Sequence, residues 1–181
     1  NSLGLFYSAI TDFLGYPINS GEYKIMGLSA YGKPNYVNQI YQMINFKNNE
    51  LFLDMFYFDF DSSITNSYSK ELENIFGVNS NNSIETIENN KNFQIYADIA
   101  CSSQIVISEI IKKIFEYAYN KTGVKNFSFT GGVALNSKLI NYLAKSDFIE
   151  NLFVPPSPGD SGAAIGAAYF GYLIHNKSVI N

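Results

Sequence analysis

At 181 residues the chain is long enough to bury a real core, as one large domain or two small ones. A formal charge of −4 and a pI near 4.9 argue against a nucleic-acid surface, which is normally basic. A single cysteine, Cys101, excludes an internal disulfide and any multi-cysteine metal site, and its helical setting beside Ala100 suggests a small buried residue.

Leu3, Phe6, Ile10 and Phe13 recur at helical spacing, and Gly15 followed by Pro17 ends that helix. Glu22 to Leu28 reads as a second short helix, closed by the turn-prone "AYGKPN". Tyr36 to Phe46 reads as a third, with Val37, Ile40, Tyr41 and Ile44 on one face. The aromatic run "ELFLDMFYFDF" is predicted as a strand, its Phe and Tyr residues destined for core or interface. Between Ser62 and Asn92 the composition shifts to Ser and Asn, which bury too little apolar surface to order strongly. A short helix around Ser69 to Phe76 and then a solvated loop are expected there, as an insertion or mobile edge.

Phe93 to Lys121 is the strongest predicted helix, with isoleucines from Ile95 to Ile114 forming a broad apolar face and Gly123 placed to stop it. Asn126 to Thr130 is a short strand, Val133 to Lys145 a helix, "NLFVPP" a second strand, and Asp160 to Ile174 a closing helix of small residues. That alternation is the rhythm of an α/β layer fold. No apolar run approaches the roughly 20 residues that span a bilayer. No signal peptide is visible, so a cytoplasmic location is the default expectation. The chain starts without Met inside an apolar pattern, which suggests a piece of a longer protein.

Three segments could carry chemistry. In "TGGVALN" two glycines follow a strand, so a ligand can approach bare backbone, and the next helix offers unpaired N–H groups. A plain tight turn explains the same residues. In "PPSPGDSGAAIGAA", Asp160 falls where a helix begins and suits either an N-cap or a metal ligand. The small residues after it fit close contact with another backbone or a flat ligand. In "SGEYKIMGLSAYGKP", Glu22 and Lys24 stand two apart and share no helix face, so a surface ion pair does not explain them, although a solvated surface does. Met26 and Leu28 are their expected anchors. His175 lies too near the C-terminus to build a Ser-His-Asp or Cys-His arrangement, and no catalytic residue is assigned.

"SLGLFYSAITDFLGY", "SGEYKIMGLSAYGKP", "YADIACSSQ", "FTGGVALNSKL" and "PPSPGDSGAAIGAAY" occur in that order. Together they closely resemble the carbamoyltransferases of the nodulation and antibiotic-biosynthesis type, over nearly the whole chain. The N-terminal domain of that family is similar to the tRNA threonylcarbamoyl-transfer proteins. The resemblance implies an α/β fold of the actin, sugar-kinase and heat-shock ATPase superfamily, with ribonuclease-H-like lobes. Residues 1–181 would be a single partial domain, much of the second lobe, with a Ser/Asn-rich insertion at about 62–92. It implies that carbamoyl phosphate and ATP give a carbamoyl-adenylate, whose carbamoyl group passes to a sugar or antibiotic-like hydroxyl compound. Gly131, Gly132 and Asn136 match the family's nucleotide motif, Glu22 and Lys24 a segment facing ribose and phosphate, and Asp160 an aspartate that binds a divalent metal, with iron expected.

The family's paired metal-binding histidines, its first-lobe phosphate loop and its adenylate-forming domain have no counterpart here. The isolated chain is therefore expected to be inactive, with the missing lobe and domain as its partners and no nucleic acid or membrane involved. A sugar-kinase-like phosphotransferase or ATPase is the nearest alternative. A non-catalytic nucleotide-binding or interaction module is another.

Overall fold

The computed structural model describes residues 2–63, 66–81, 87 and 90–176, which fall into two compact units, Asn1–Gly123 and Val124–Asn181. Among its described residues the first unit is helical with one hairpin. Helices α1 (Leu3–Phe13), α2 (Glu22–Leu28) and α3 (Val37–Met43) lie against the long α5 (Phe93–Thr122). Ser2 caps α1 by accepting from the Leu5 N–H at 3.3 Å. Phe6, Ile10 and Phe13 of α1, Ile25 of α2, Ile40 of α3 and Ile99 and Ile107 of α5 are fully buried, as the apolar spacing requires. Gly123, at φ +69°, ends α5 in the left-handed conformation that favours glycine.

The third helix stops at Met43 rather than running to Phe46. Residues Ile44–Lys47 (β1) instead pair antiparallel with Glu50–Leu53 (β2), in register Ile44 with Leu53 and Lys47 with Glu50. Asn48 and Asn49 both have positive φ, at +53° and +65°, the pattern of a two-residue turn matched to strand twist. The predicted strand over Glu50 to Phe60 is likewise shorter. After Leu53 a single 3-10 turn, Met55–Tyr57, follows, with Asp54 accepting from the Phe56 N–H at 3.1 Å. Phe58 is buried, whereas Phe52 and Phe56 are exposed.

Helix α4 (Glu71–Phe76) ends at Gly77, and the predicted solvated loop then differs from expectation in its described part. Val78, Asn81 and Ile87 are buried, and the Asn81 N–H donates to the Phe13 carbonyl at 2.9 Å. Gly15 is required there, because a Cβ on it would lie 2.3 Å from the Asn81 carbonyl oxygen. The remainder of that loop, 82–86 and 88–89, lies outside the described residues.

The second unit is α/β. Strands β3 (Asn126–Ser128) and β4 (Asn151–Phe153) pair in parallel, Asn126 with Asn151 and Ser128 with Phe153. Between them the predicted helix over Val133 to Lys145 divides into a 3-10 turn, Gly132–Leu135, and α6 (Ser137–Leu143). The break falls at Asn136, whose extended backbone (φ −79°, ψ 95°) lets its side chain cap α6. Helix α7 (Gly162–Asn176) closes the unit and contains His175, which is exposed and sits inside the helix rather than after it. No helix among the described residues is long and apolar enough to cross a membrane.

Candidate functional site

In the second unit, parallel pairing puts the carboxyl ends of β3 and β4 side by side, and the loop after each strand leaves from that edge. This is the edge at which open α/β sheets bind ligands. The Gly131 N–H donates to the Pro158 carbonyl at 2.7 Å, joining the glycine-pair loop to the "PPSPGD" loop. Gly131 has φ +98° and ψ 166°, a conformation nearly exclusive to glycine. Gly132 has no such need, and a Cβ built on it or on Gly131 would meet nothing within 4 Å. The glycine at 132 is therefore not imposed by internal packing, and the space beside it is open. A Cβ on Gly159 would lie 4.0 Å from the Gly132 Cα, so the two loops approach within van der Waals contact.

Asn136 is buried, and its side-chain oxygen accepts from the Leu139 N–H at 3.1 Å. It supports the helix that follows the glycine pair. Asp160 is exposed at the tip of the second loop, and its backbone carbonyl accepts from the Ala163 N–H at 3.1 Å. The Ser157 and Ser161 hydroxyls flank it, 2.5 Å from each other. Gly162 packs tightly, since a Cβ there would sit 2.3 Å from the Ser157 carbonyl oxygen. Within the described residues, Gly162 is the helix glycine that meets another part of the backbone. Gly166 and Gly171 face open space, and Ala163, Ala164, Ala167 and Ala168 are exposed.

A metal centre does not fit these residues alone. Among the described residues, no group of three or more His, Cys, Asp or Glu side chains could hold a metal ion. A single exposed carboxylate gives a divalent cation one of the several ligands it needs.

In the first unit, Glu22 begins α2 and its carboxylate is already engaged. Oε1 accepts from the Ser8 hydroxyl at 2.8 Å and the Asn19 N–H at 2.9 Å, and Oε2 from the Gly21 N–H at 3.2 Å. Its local work is to hold the Asn19–Gly21 turn, where Asn19 has φ +66°. The Lys24 ammonium lies 5.7 Å from the centre of the Tyr16 ring, a cation–π distance. Leu28 is buried and anchors α2 as expected, whereas Met26 is only half-buried and the second buried residue of the helix is Ile25. Cys101 is half-buried rather than buried.

Asp98, in the middle of "YADIACSSQ", was not among the expected site residues. Its carboxylate is buried on α5 and accepts from the Lys33 N–H at 2.8 Å and the Asn35 side-chain amide at 2.7 Å. The Gln94 amide donates to the same carboxylate at 2.7 Å. An acidic residue between Ala97 and Ile99, inside an otherwise apolar helix segment, was the available signal.

Residues 1–169 match the family model described as the carbamoyltransferase N-terminus. The chain is 32% identical over 169 residues to nodulation protein NolO of Bradyrhizobium diazoefficiens, covering 93% of this chain and 28% of that protein. It is 30% identical over 173 residues to nodulation protein NolNO of Sinorhizobium fredii, covering 93% of this chain and 22% of the relative. An uncharacterized Synechocystis protein, sll1178, is 36% identical over 170 residues, or 93% of this chain and 27% of that protein. The chain thus spans about a quarter of the length of these relatives. With the family model matched over residues 1–169 and relatives 30–32% identical over 93% of the chain, the chain belongs to the carbamoyltransferase N-terminus family.

Proposed function

We propose that this chain is the nucleotide-handling part of an O-carbamoyltransferase, which passes a carbamoyl group from carbamoyl-adenylate to an acceptor hydroxyl. The observation that carries the reading is Gly132, bare without internal cause, beside a loop tied to it through the Gly131–Pro158 hydrogen bond. Such a surface admits a nucleotide against the main chain, where a side chain would stand in the way. Asn136 keeps α6 oriented behind the glycine pair, and Asp160 supplies a carboxylate at the polar rim.

In the first unit, Lys24 is proposed as a cationic contact for a phosphate or ribose, and Glu22 as the residue that fixes the turn from which α2 starts. A divalent metal, when bound, would polarise the carbamoyl carbonyl. Asp160 would be one ligand, and the others would come from outside these 181 residues, as would the adenylate-forming part. The length of the relatives supports that division. The actin-like, ribonuclease-H-like lobe assignment belongs to the same proposal, supported by parallel β3 and β4 with helices between them. So does a cytoplasmic setting.

The test is to incubate the isolated chain and the complete gene product, separately, with carbamoyl phosphate, ATP and hydroxyl acceptors. The reading expects carbamoylated acceptor from the complete product and none from the isolated chain. Turnover by the isolated chain would refute its incompleteness, and ATP consumption indifferent to carbamoyl phosphate would refute the carbamoyl reading.

A further inference from the structure

The loop between α2 and α3 is fixed at almost every residue, yet it points its longest polar side chain at solvent. The Tyr31 N–H donates to the Leu28 carbonyl at 3.0 Å, and the Tyr31 carbonyl accepts from the Gln94 amide at 3.2 Å. The Tyr31 ring meets Phe93 edge-on at 6.4 Å, but the residue remains 70% exposed. Gly32 lies flat on α5, where a Cβ would come within 1.9 Å of the Ala97 carbonyl oxygen. Asp98 then grips the Lys33 N–H and the Asn35 amide. The Tyr36 N–H donates to the Ser102 hydroxyl at 3.0 Å, and that hydroxyl donates to the Asp98 carbonyl at 2.7 Å.

Burying a carboxylate costs several kcal/mol unless donors compensate, and here three donors, none of them charged, converge on it. The grip closes on the backbone of Lys33, whose side chain is exposed. Among the described residues no carboxylate pairs with its ammonium. A flexible lysine gains affinity for an anion when its backbone is already ordered, because less freedom is lost on binding.

We infer that Lys33 is a contact for a phosphate-bearing anion and that Asp98 is its positioning residue, acting through the Lys33 backbone N–H and the Asn35 side-chain amide. The anion is either the phosphate chain of ATP or carbamoyl phosphate, two sources of one chemistry. The inference rests on the phosphate-binding part of the proposed function and adds two residues to it.

A double-mutant cycle decides it. Lys33→Met, Asp98→Asn and the double variant are made in the complete gene product. Binding is measured by equilibrium dialysis, with ATP in one arm and carbamoyl phosphate in the other, and melting is followed in each variant. Lys33→Met should weaken one of the two anions about tenfold, as expected for a charged contact of about 1.4 kcal/mol, without lowering the melting temperature. Asp98→Asn should weaken the same anion about threefold or more, and that effect should vanish in the Lys33→Met background. Where Asp98→Asn does not fold, Asn35→Ala replaces it, since it removes one donor and leaves the carboxylate in place.

Effects that multiply would make Asp98 merely structural and overturn the inference. So would an unchanged affinity in Lys33→Met, or a wild-type protein that retains neither anion. Coupled variants in a protein that shows no carbamoyl-dependent turnover would uphold the inference while refuting the proposed function.

Discussion

The Gly131 N–H donates to the Pro158 carbonyl at 2.7 Å, so the loops after two parallel strands are held as one surface. The two glycines on that surface are glycine for different reasons, and this separates stability from binding. Gly131→Ala places a Cβ on a residue at φ +98° and should destabilise the second unit by about 2 kcal/mol. Gly132→Ala meets no neighbour and should leave stability within about 0.5 kcal/mol, while weakening nucleotide retention by the complete gene product. Denaturant unfolding and equilibrium dialysis check the two halves. Unchanged retention in Gly132→Ala would make the glycine pair a turn and nothing more.

Asn136→Ala removes the side-chain acceptor for the Leu139 N–H and should cost about 1 kcal/mol in unfolding experiments. Asn136→Asp keeps the acceptor and should recover most of that loss.

Gly32→Ala should be far more damaging than either loop glycine in the second unit. Its Cβ would lie 1.9 Å from the Ala97 carbonyl oxygen, backbone against backbone, so relief requires the α2–α3 loop to leave α5. A loss of about 3 kcal/mol is expected, together with a changed amide signal for Lys33, whose N–H would lose Asp98. Unfolding curves and amide NMR report the two effects.

Alkaline stability should depend on Tyr68 and Tyr36. Burial raises both phenols above the ordinary value of 10.0, with Asp98 adding to the rise at Tyr36. At Tyr68 a hydrogen bond to Ser80 opposes the rise, while the charges of Asp12 and Glu73 add to it. The folded state therefore holds these protons more tightly than the unfolded state. Their contribution is intact below pH 10 and is lost as the pH climbs through the folded-state values. Tyr68→Phe should flatten the decline in melting temperature above pH 10 relative to the parent chain. An equally steep decline in the variant would contradict this.

Much of the first unit was legible because its signals are local. The isoleucine face and Gly123 marked α5 to within a residue, and Leu3, Phe6, Ile10 and Phe13 marked α1. The β1–β2 hairpin was missed because Ile40 and Ile44 share a helical spacing that masked the two-residue Asn48–Asn49 turn. In the aromatic run, residue type could not distinguish buried Phe58 from exposed Phe56, since the 3-10 turn at Met55–Tyr57 breaks the alternation.

At the candidate site, Gly131 and Gly132 stood out as a pair, but the pairing with Pro158 depends on two strands adopting parallel register. The partners of Asp98 were hidden for the same reason, although its place in an apolar helix segment marked it as unusual. Its loop partners Lys33 and Asn35 lie 65 and 63 residues away, a distance at which spacing carries no signal.

The nucleotide products formed by the complete gene product test the central claim most directly. Supplied with ATP, carbamoyl phosphate and a hydroxyl acceptor, it should release AMP and pyrophosphate in step with carbamoylated acceptor, and release neither when carbamoyl phosphate is omitted. Release of ADP with a phosphorylated acceptor, or ADP formation independent of carbamoyl phosphate, would contradict the account and identify a phosphotransferase or ATPase instead.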